Sequence, residues 1–127
     1  MTNKLHVHIL RPFEGEPLRI LNEALDDNIH CTDGEEIPDP PDYHVLVAGR
    51  PPRAFLEAGS GLHTLVIPWA GLPTSTRDLL ADFPDLNVHN LHHNAAPTAE
   101  LALTLLFSAV KRVIPFDRAL RDHDWRP

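Results

Sequence analysis

Apolar side chains along this chain fall into short, nearly unbroken runs separated by stretches of helical spacing. Five runs read as strands: residues 5–10, 29–32, 44–48, 64–69 and 86–90. The first alternates His6 and His8 with Val7 and Ile9, whereas the third and fourth are almost continuous Val, Leu and Ile. Unbroken apolar strands predict a sheet covered on both faces, the parallel arrangement with helices on either side.

The intervening stretches read as helices. Leu18, Leu21 and Leu25 recur at helical spacing behind Pro17, predicting a helix over 17–25. Residues 52–58 predict a short helix that turns Phe55 and Leu56 inward and is capped by Gly59. Ser75, with Asp78 three residues on, predicts the cap of a third helix with Leu79, Leu80 and Phe83 as its apolar face and Pro84 as its stop. A last helix is expected to open at Pro97 and end near Val113, with a further turn or two over 117–125. Strand followed by helix, four times over, predicts right-handed βαβ units and a flavodoxin-like (Rossmann-like) α/β three-layer sandwich around a five-stranded parallel sheet. In the last helix Leu101, Leu103, Leu105, Leu106, Phe107, Val110 and Val113 surround the axis. Such a helix needs burial on nearly all sides, and a sheet covers only one.

A chain of 127 residues is the size of one domain. Its 43% hydrophobic and 23% charged residues are those of an ordered globular protein. The net charge of −7 argues against nucleic acid as a partner, because neutralising phosphates takes surplus Lys and Arg. Ten acids and one base, Arg19, lie between Glu14 and Asp42, read as a solvated outer face. The single cysteine, Cys31, excludes an intrachain disulfide. The start of the chain leads straight into a strand-like run, and the longest apolar stretch, 101–110, falls short of the ~20 residues of a membrane helix. A soluble, cytoplasmic protein without a membrane partner is expected.

Candidate chemistry is sparse. Gly59-Ser60-Gly61 lacks the third glycine of a dinucleotide fingerprint and precedes a strand instead of following one. A phosphate-binding G-x-x-x-x-G-K-[ST] loop is absent. His89, His92 and His93 cluster near the fifth strand and read as loop histidines, so no metal site is expected. His6 and His8 share one face of strand 1 and read as partly buried sheet histidines. Ser60, Ser75 and Ser108 have no nucleophile-elbow context, and Cys31 reads as a buried, inert thiol.

One pattern is specific. Leu65-Val66-Ile67-Pro68-Trp69-Ala70-Gly71 ends a strand in a small-residue loop. About twenty residues later comes His92-His93-Asn94-Ala95-Ala96-Pro97-Thr98-Ala99-Glu100, then the apolar helix, then Asp117-Arg118-Ala119-Leu120-Arg121 up to Trp125-Arg126. This order resembles the D-isomer-specific 2-hydroxyacid dehydrogenases, with their A-G loop, their N-A-x-x-x-A-E motif opening a long helix, and their D-W-R-like end. The earlier part, Val45 to Gly49, Arg50-Pro51-Pro52 and Phe55 to Ala58, resembles the family more loosely.

The resemblance implies the amino-terminal substrate-binding domain, residues 1–96, followed by a long interdomain and dimerisation helix with its tail, residues 97–127. The family's nucleotide-binding domain, with its G-x-G-x-x-G fingerprint and its catalytic arginine, acid and histidine, would lie beyond this sequence. No catalytic residue is therefore carried over. NAD or NADP serves the intact family enzyme and is not expected to bind this chain tightly. Substrate binding is carried over to Ala70, Gly71 and Leu72, whose backbone N–H groups would hold a carboxylate, and to Asn94 at the domain hinge. Arg50 matches a position where some members place an arginine against acidic substrates, and Thr98 matches one beside the nicotinamide. The implied partners are a second copy of the chain, through the helix from Pro97 to Val113, and a small 2-oxo or 2-hydroxy carboxylate. After the glycine the family continues with Val or Ile and then Asp or Asn; this chain has Leu72-Pro73-Thr74, and Pro73 has no N–H. The alternative from another class is a stand-alone flavodoxin-like binding or assembly module without catalysis. A flavin domain would need a phosphate loop after strand 1, where Arg11 to Gly15 offer no Ser/Thr cluster. A response regulator would need an aspartate where Gly49-Arg50 stand.

Overall fold

The computed structural model describes residues 4–11 and 14–126. Met1, Thr2, Asn3, Pro12, Phe13 and Pro127 lie outside the described residues. The chain divides into two units, Met1–Leu91 and His92–Pro127.

In the first unit, the strands β1 (Leu5–Ile9), β2 (Ile29–Asp33), β3 (Val45–Val47), β4 (Thr64–Ile67) and β5 (Asn87–Asn90) alternate with α1 (Glu16–Ala24), α2 (Arg53–Ala58) and α3 (Thr74–Leu80). All strand pairs are parallel, in the order β2-β1-β3-β4-β5. This is the flavodoxin-like α/β arrangement predicted from the strand–helix alternation. The apolar runs of β3 and β4 form its centre: Leu46, Leu65 and Ile67 are fully buried and pack with Leu10, Tyr43, Phe55 and Leu56. Each such side chain contributes about 1.5–3 kcal/mol relative to exposure. The Tyr43 hydroxyl donates to the Phe55 carbonyl at 2.5 Å, so the core's polar tip is satisfied and α2 is pinned to the segment before β3.

Helix boundaries depart from expectation where local chemistry was misread. Ser75 does not cap α3. The helix begins one residue earlier, at Thr74, with Pro73 in the cap position and no side-chain cap bond. Pro73 has no N–H to leave unpaired, and its carbonyl accepts the Arg77 N–H at 2.9 Å. Gly59 follows α2 but not as a left-handed cap, since its φ is −65°. What its position demands is room: a Cβ there would sit 2.7 Å from the Tyr43 ring and 2.8 Å from Leu62 Cβ. In α1, which stops at Ala24 with Leu25 as its cap, Leu18, Leu21 and that cap are only half-buried, and Arg19 bridges Glu16 and Glu23 along the outer face.

The second unit is two helices, α4 (Ala95–Val110) and α5 (Val113–Arg121). Pro115 explains the break. Its ring would clash with the carbonyl four residues back, at Lys111, so one helix cannot run through. The chain turns at Arg112, in the left-handed region at φ 53°, and Pro115 falls in the first turn of α5, where no N–H is needed. The apolar run past the first helix, Ile114-Pro115-Phe116, is therefore helical. No residue of α4 is buried, and its Leu, Phe and Val side chains from Leu101 to Val110 are 54–66% exposed.

Candidate functional site

In a sheet of this order, β1 and β3 lie side by side while their connections leave in opposite directions along the sheet. A crevice opens there, outside the carboxyl ends of the strands, and this is where open α/β sheets bind ligands. In this chain the ends of β1, β3 and β4 frame a cleft of about 300 Å3 at that point. Leu10, Ala48 and Pro68 supply apolar wall, while Arg11, Arg50 and Trp69 supply charge and an aromatic surface.

The cleft is held from behind. Thr76 of α3 is almost fully buried and donates its hydroxyl to the Gly49 carbonyl at 2.8 Å, fixing the end of β3. Gly49 leaves the space the Trp69 ring fills; a Cβ at position 49 would fall inside that ring. Trp69 is 41% exposed, and the Arg50 guanidinium carbon lies 5.9 Å from its ring centroid, a cation–π placement. Arg11 is paired with Glu35 at 3.3 Å, both side chains well exposed. Arg50 has no carboxylate partner among the described residues. Arg11, Glu35 and Arg50 line a shared hollow, so one positive charge there is left for a ligand anion.

Ala70, Gly71 and Leu72 continue from Trp69 along the carboxyl edge and are exposed. The end of β5 anchors them: Asn90 Nδ2 donates to the Ala70 carbonyl at 2.6 Å, and the Leu91 N–H donates to the Trp69 carbonyl at 3.2 Å. With the carbonyls engaged, the N–H groups of Ala70, Gly71 and Leu72 find no acceptor among the described residues. Gly71 is not in the left-handed region, and a Cβ there would meet nothing within 4 Å. Its small size leaves open approach to the backbone.

Asn94 and Thr98 belong to the second unit. Asn94 holds the cap position of α4, and its carbonyl accepts the Thr98 N–H at 3.1 Å, but its side chain makes no capping bond. One turn apart, the two residues share a face of the helix.

The structure thus brings Arg50 together with Arg11 and Trp69, two residues that sequence reasoning passed over. The signal for Arg11 was position, an arginine just past the apolar run of strand 1 as Arg50 is past that of strand 3, and it needed the strand order to be read. Asn90 and Thr76 act through backbone carbonyls and left no motif. His8 is 1% exposed, with Thr32 Oγ1 at 3.0 Å from Nδ1 and the Gly34 carbonyl at 3.2 Å from Nε2; burial lowers its pKa, partly offset by the Gly34 bond and the Asp33 charge. Cys31 is half-buried, and burial with the nearby Asp33 charge pushes its thiol up, away from nucleophilic use. Among the described residues no three His, Cys, Asp or Glu side chains are grouped as metal ligands. No helix among them is long and apolar enough to cross a membrane. In comparisons with known proteins, no family model and no curated protein matches this chain.

Proposed function

We propose that this chain is the substrate-binding domain of an NAD(P)-dependent D-2-hydroxyacid dehydrogenase, an oxidoreductase moving hydride between its cofactor and a 2-oxo acid/2-hydroxy acid pair. The observation that carries the reading is the anchored loop at the carboxyl end of β4. It offers three consecutive backbone N–H groups without acceptors among the described residues, next in sequence to the Trp69 ring under Arg50. A 2-oxo acid bears its carboxylate on the carbon beside the oxo group. Backbone donors and a guanidinium hold that carboxylate and fix which face of the oxo carbon is presented.

The role of this chain's residues is to bind and orient. Hydride comes from the nicotinamide cofactor, and the residues of this chain do not fit that group: Gly59 and Gly61 lie ahead of β4, not between a strand and a helix N-terminus. Asn94 and Thr98 enter the proposal from the family resemblance alone. The proposal extends to pairing of two copies through α4, whose exposed apolar side chains call for a partner surface, and to the cytoplasm, which a lone reduced cysteine fits. Chemical-shift mapping with oxalate tests the site. Perturbations at Ala70, Gly71, Leu72 and Arg50 are expected; perturbations confined to the acidic segment 14–42 would overturn the assignment.

A further inference from the structure

Four histidines stand in one cross-strand row at the amino edge of the sheet. His6 faces His30 directly across β1 and β2. Val7 faces Val45, and Val45 faces Thr64, so the preceding residues put His44 beside His6 and His63 beside His44. Ring centroids are 5.2 Å apart for His30 and His6, 5.4 Å for His6 and His44, and 6.0 Å for His44 and His63.

The row is tied into the backbone. The His6 N–H donates to His44 Nδ1 at 3.0 Å, so that nitrogen carries no proton in this arrangement. His63 Nδ1 lies 2.8 Å from the Thr64 hydroxyl. His6 Nδ1 is shut off from solvent and meets Asp42 Oδ2 at 2.8 Å. The titratable groups facing His6 are thus His30 from β2 and Asp42 and His44 from the segment before β3, with His63 beyond His44. Asp42 is the one carboxylate within 4 Å of these ring nitrogens among the described residues.

We propose that this row is a proton-operated device at the amino edge of the sheet: protons on neighbouring imidazoles of the row loosen the amino ends of β1, β3 and β4. Contact with His6 holds Asp42 below the ordinary carboxylate range. Two protons on adjacent members set imidazolium against imidazolium at a spacing of 5–6 Å. If one lands on His44 Nδ1, the acceptor for the His6 N–H is gone. Imidazoles are the side chains whose ordinary charge change falls between pH 5 and 8. The carboxyl-edge cleft lies at the other end of the same strands and keeps its own anchors, Thr76 and Asn90.

Amide hydrogen exchange followed by NMR on the full chain is the test. His30→Gln with His63→Gln removes the two exposed ends of the row and leaves the His6 N–H bond to His44 Nδ1 in place. Amide exchange, corrected for its intrinsic pH dependence, is expected to speed up about tenfold at His6 and Thr64 between pH 7.5 and 5 in the native chain, and less in the double variant. Exchange that accelerates equally in both proteins, or that does not accelerate in the native chain, would overturn the proposal.

Discussion

Trp69 occupies the space that a side chain at position 49 would need, so the glycine after β3 and the indole after β4 specify each other. A Cβ on Gly49 would fall inside the ring. Gly49→Ala is therefore expected to push the half-exposed indole out of place, at a cost of about 1 kcal/mol. Denaturant unfolding measures it. Trp69→Ala in the same background should recover most of the loss, since the clash is then gone, and a double-mutant cycle over the pair should show strong coupling.

Behind the same glycine, Thr76 is a buried donor to the Gly49 carbonyl at 2.8 Å. Thr76→Val keeps the shape and leaves that carbonyl without its donor, at a cost of about 1–2 kcal/mol. Thr76→Ser keeps the hydroxyl and is expected to lose much less. Equal losses in the two variants would assign the effect to the methyl group and not to the bond.

His8 gives stability a pH dependence of definite sign. Burial holds its pKa below the ordinary 6.5, so the unfolded chain takes up a proton that the folded chain refuses. Its contribution is fully present above pH 6.5 and is lost as pH falls from there toward the lowered folded value, with a slope of at most about 1.4 kcal/mol per pH unit. His8→Gln should flatten urea midpoints between pH 6.5 and 5 relative to the native chain.

Among the described residues Arg50 is the cation of the cleft left without a carboxylate, and its placement over Trp69 depends on a flat guanidinium. Arg50→Ala is expected to weaken oxalate binding about tenfold, equivalent to ~1.4 kcal/mol, and Arg50→Lys to restore little of it. Isothermal titration decides. The purified chain is also expected to show no turnover of glyoxylate or pyruvate with NADH or NADPH; activity retained through repurification would contradict the division of labour proposed for it.

The sheet was legible because its signals are local. Unbroken apolar runs such as Val45-Leu46-Val47 mark central strands whatever their neighbours are. Cap and break positions were less legible, because Ser75 matched a capping pattern that Pro73 pre-empted, and Pro115 acts through a carbonyl four residues away. The cleft was half visible. Arg50 and the Ala70–Gly71 loop stood out through resemblance, but Arg11 and Trp69 join Arg50 only once β1, β3 and β4 are known to be neighbours. The histidine row was invisible for the same reason. His6, His30, His44 and His63 are at least fourteen residues apart in sequence, and only the parallel register aligns them.

The second unit carries the last prediction, that copies of the chain associate through α4. Leu101, Leu103, Leu105, Leu106, Phe107 and Val110 remain more than half exposed, and they lie around the axis rather than along one stripe. Within the second unit α5 is the one helix available to cover them, and it leaves them exposed. Soluble monomers rarely leave contiguous apolar patches beyond a few hundred Å2 uncovered. At ~25 cal/mol per Å2, covering such a patch supplies on the order of 10 kcal/mol before the costs of association, enough for a dimer once those costs are met. Light scattering at micromolar concentration should give at least twice the 14.2 kDa chain mass. Leu105→Glu with Phe107→Glu places charges on two sides of the helix and should return the protein to one chain mass without disturbing the first unit, whose core contains no residue of α4. A native chain that scatters as a monomer would mean that these side chains stay exposed in solution, and would remove the reason for assigning α4 to an interface.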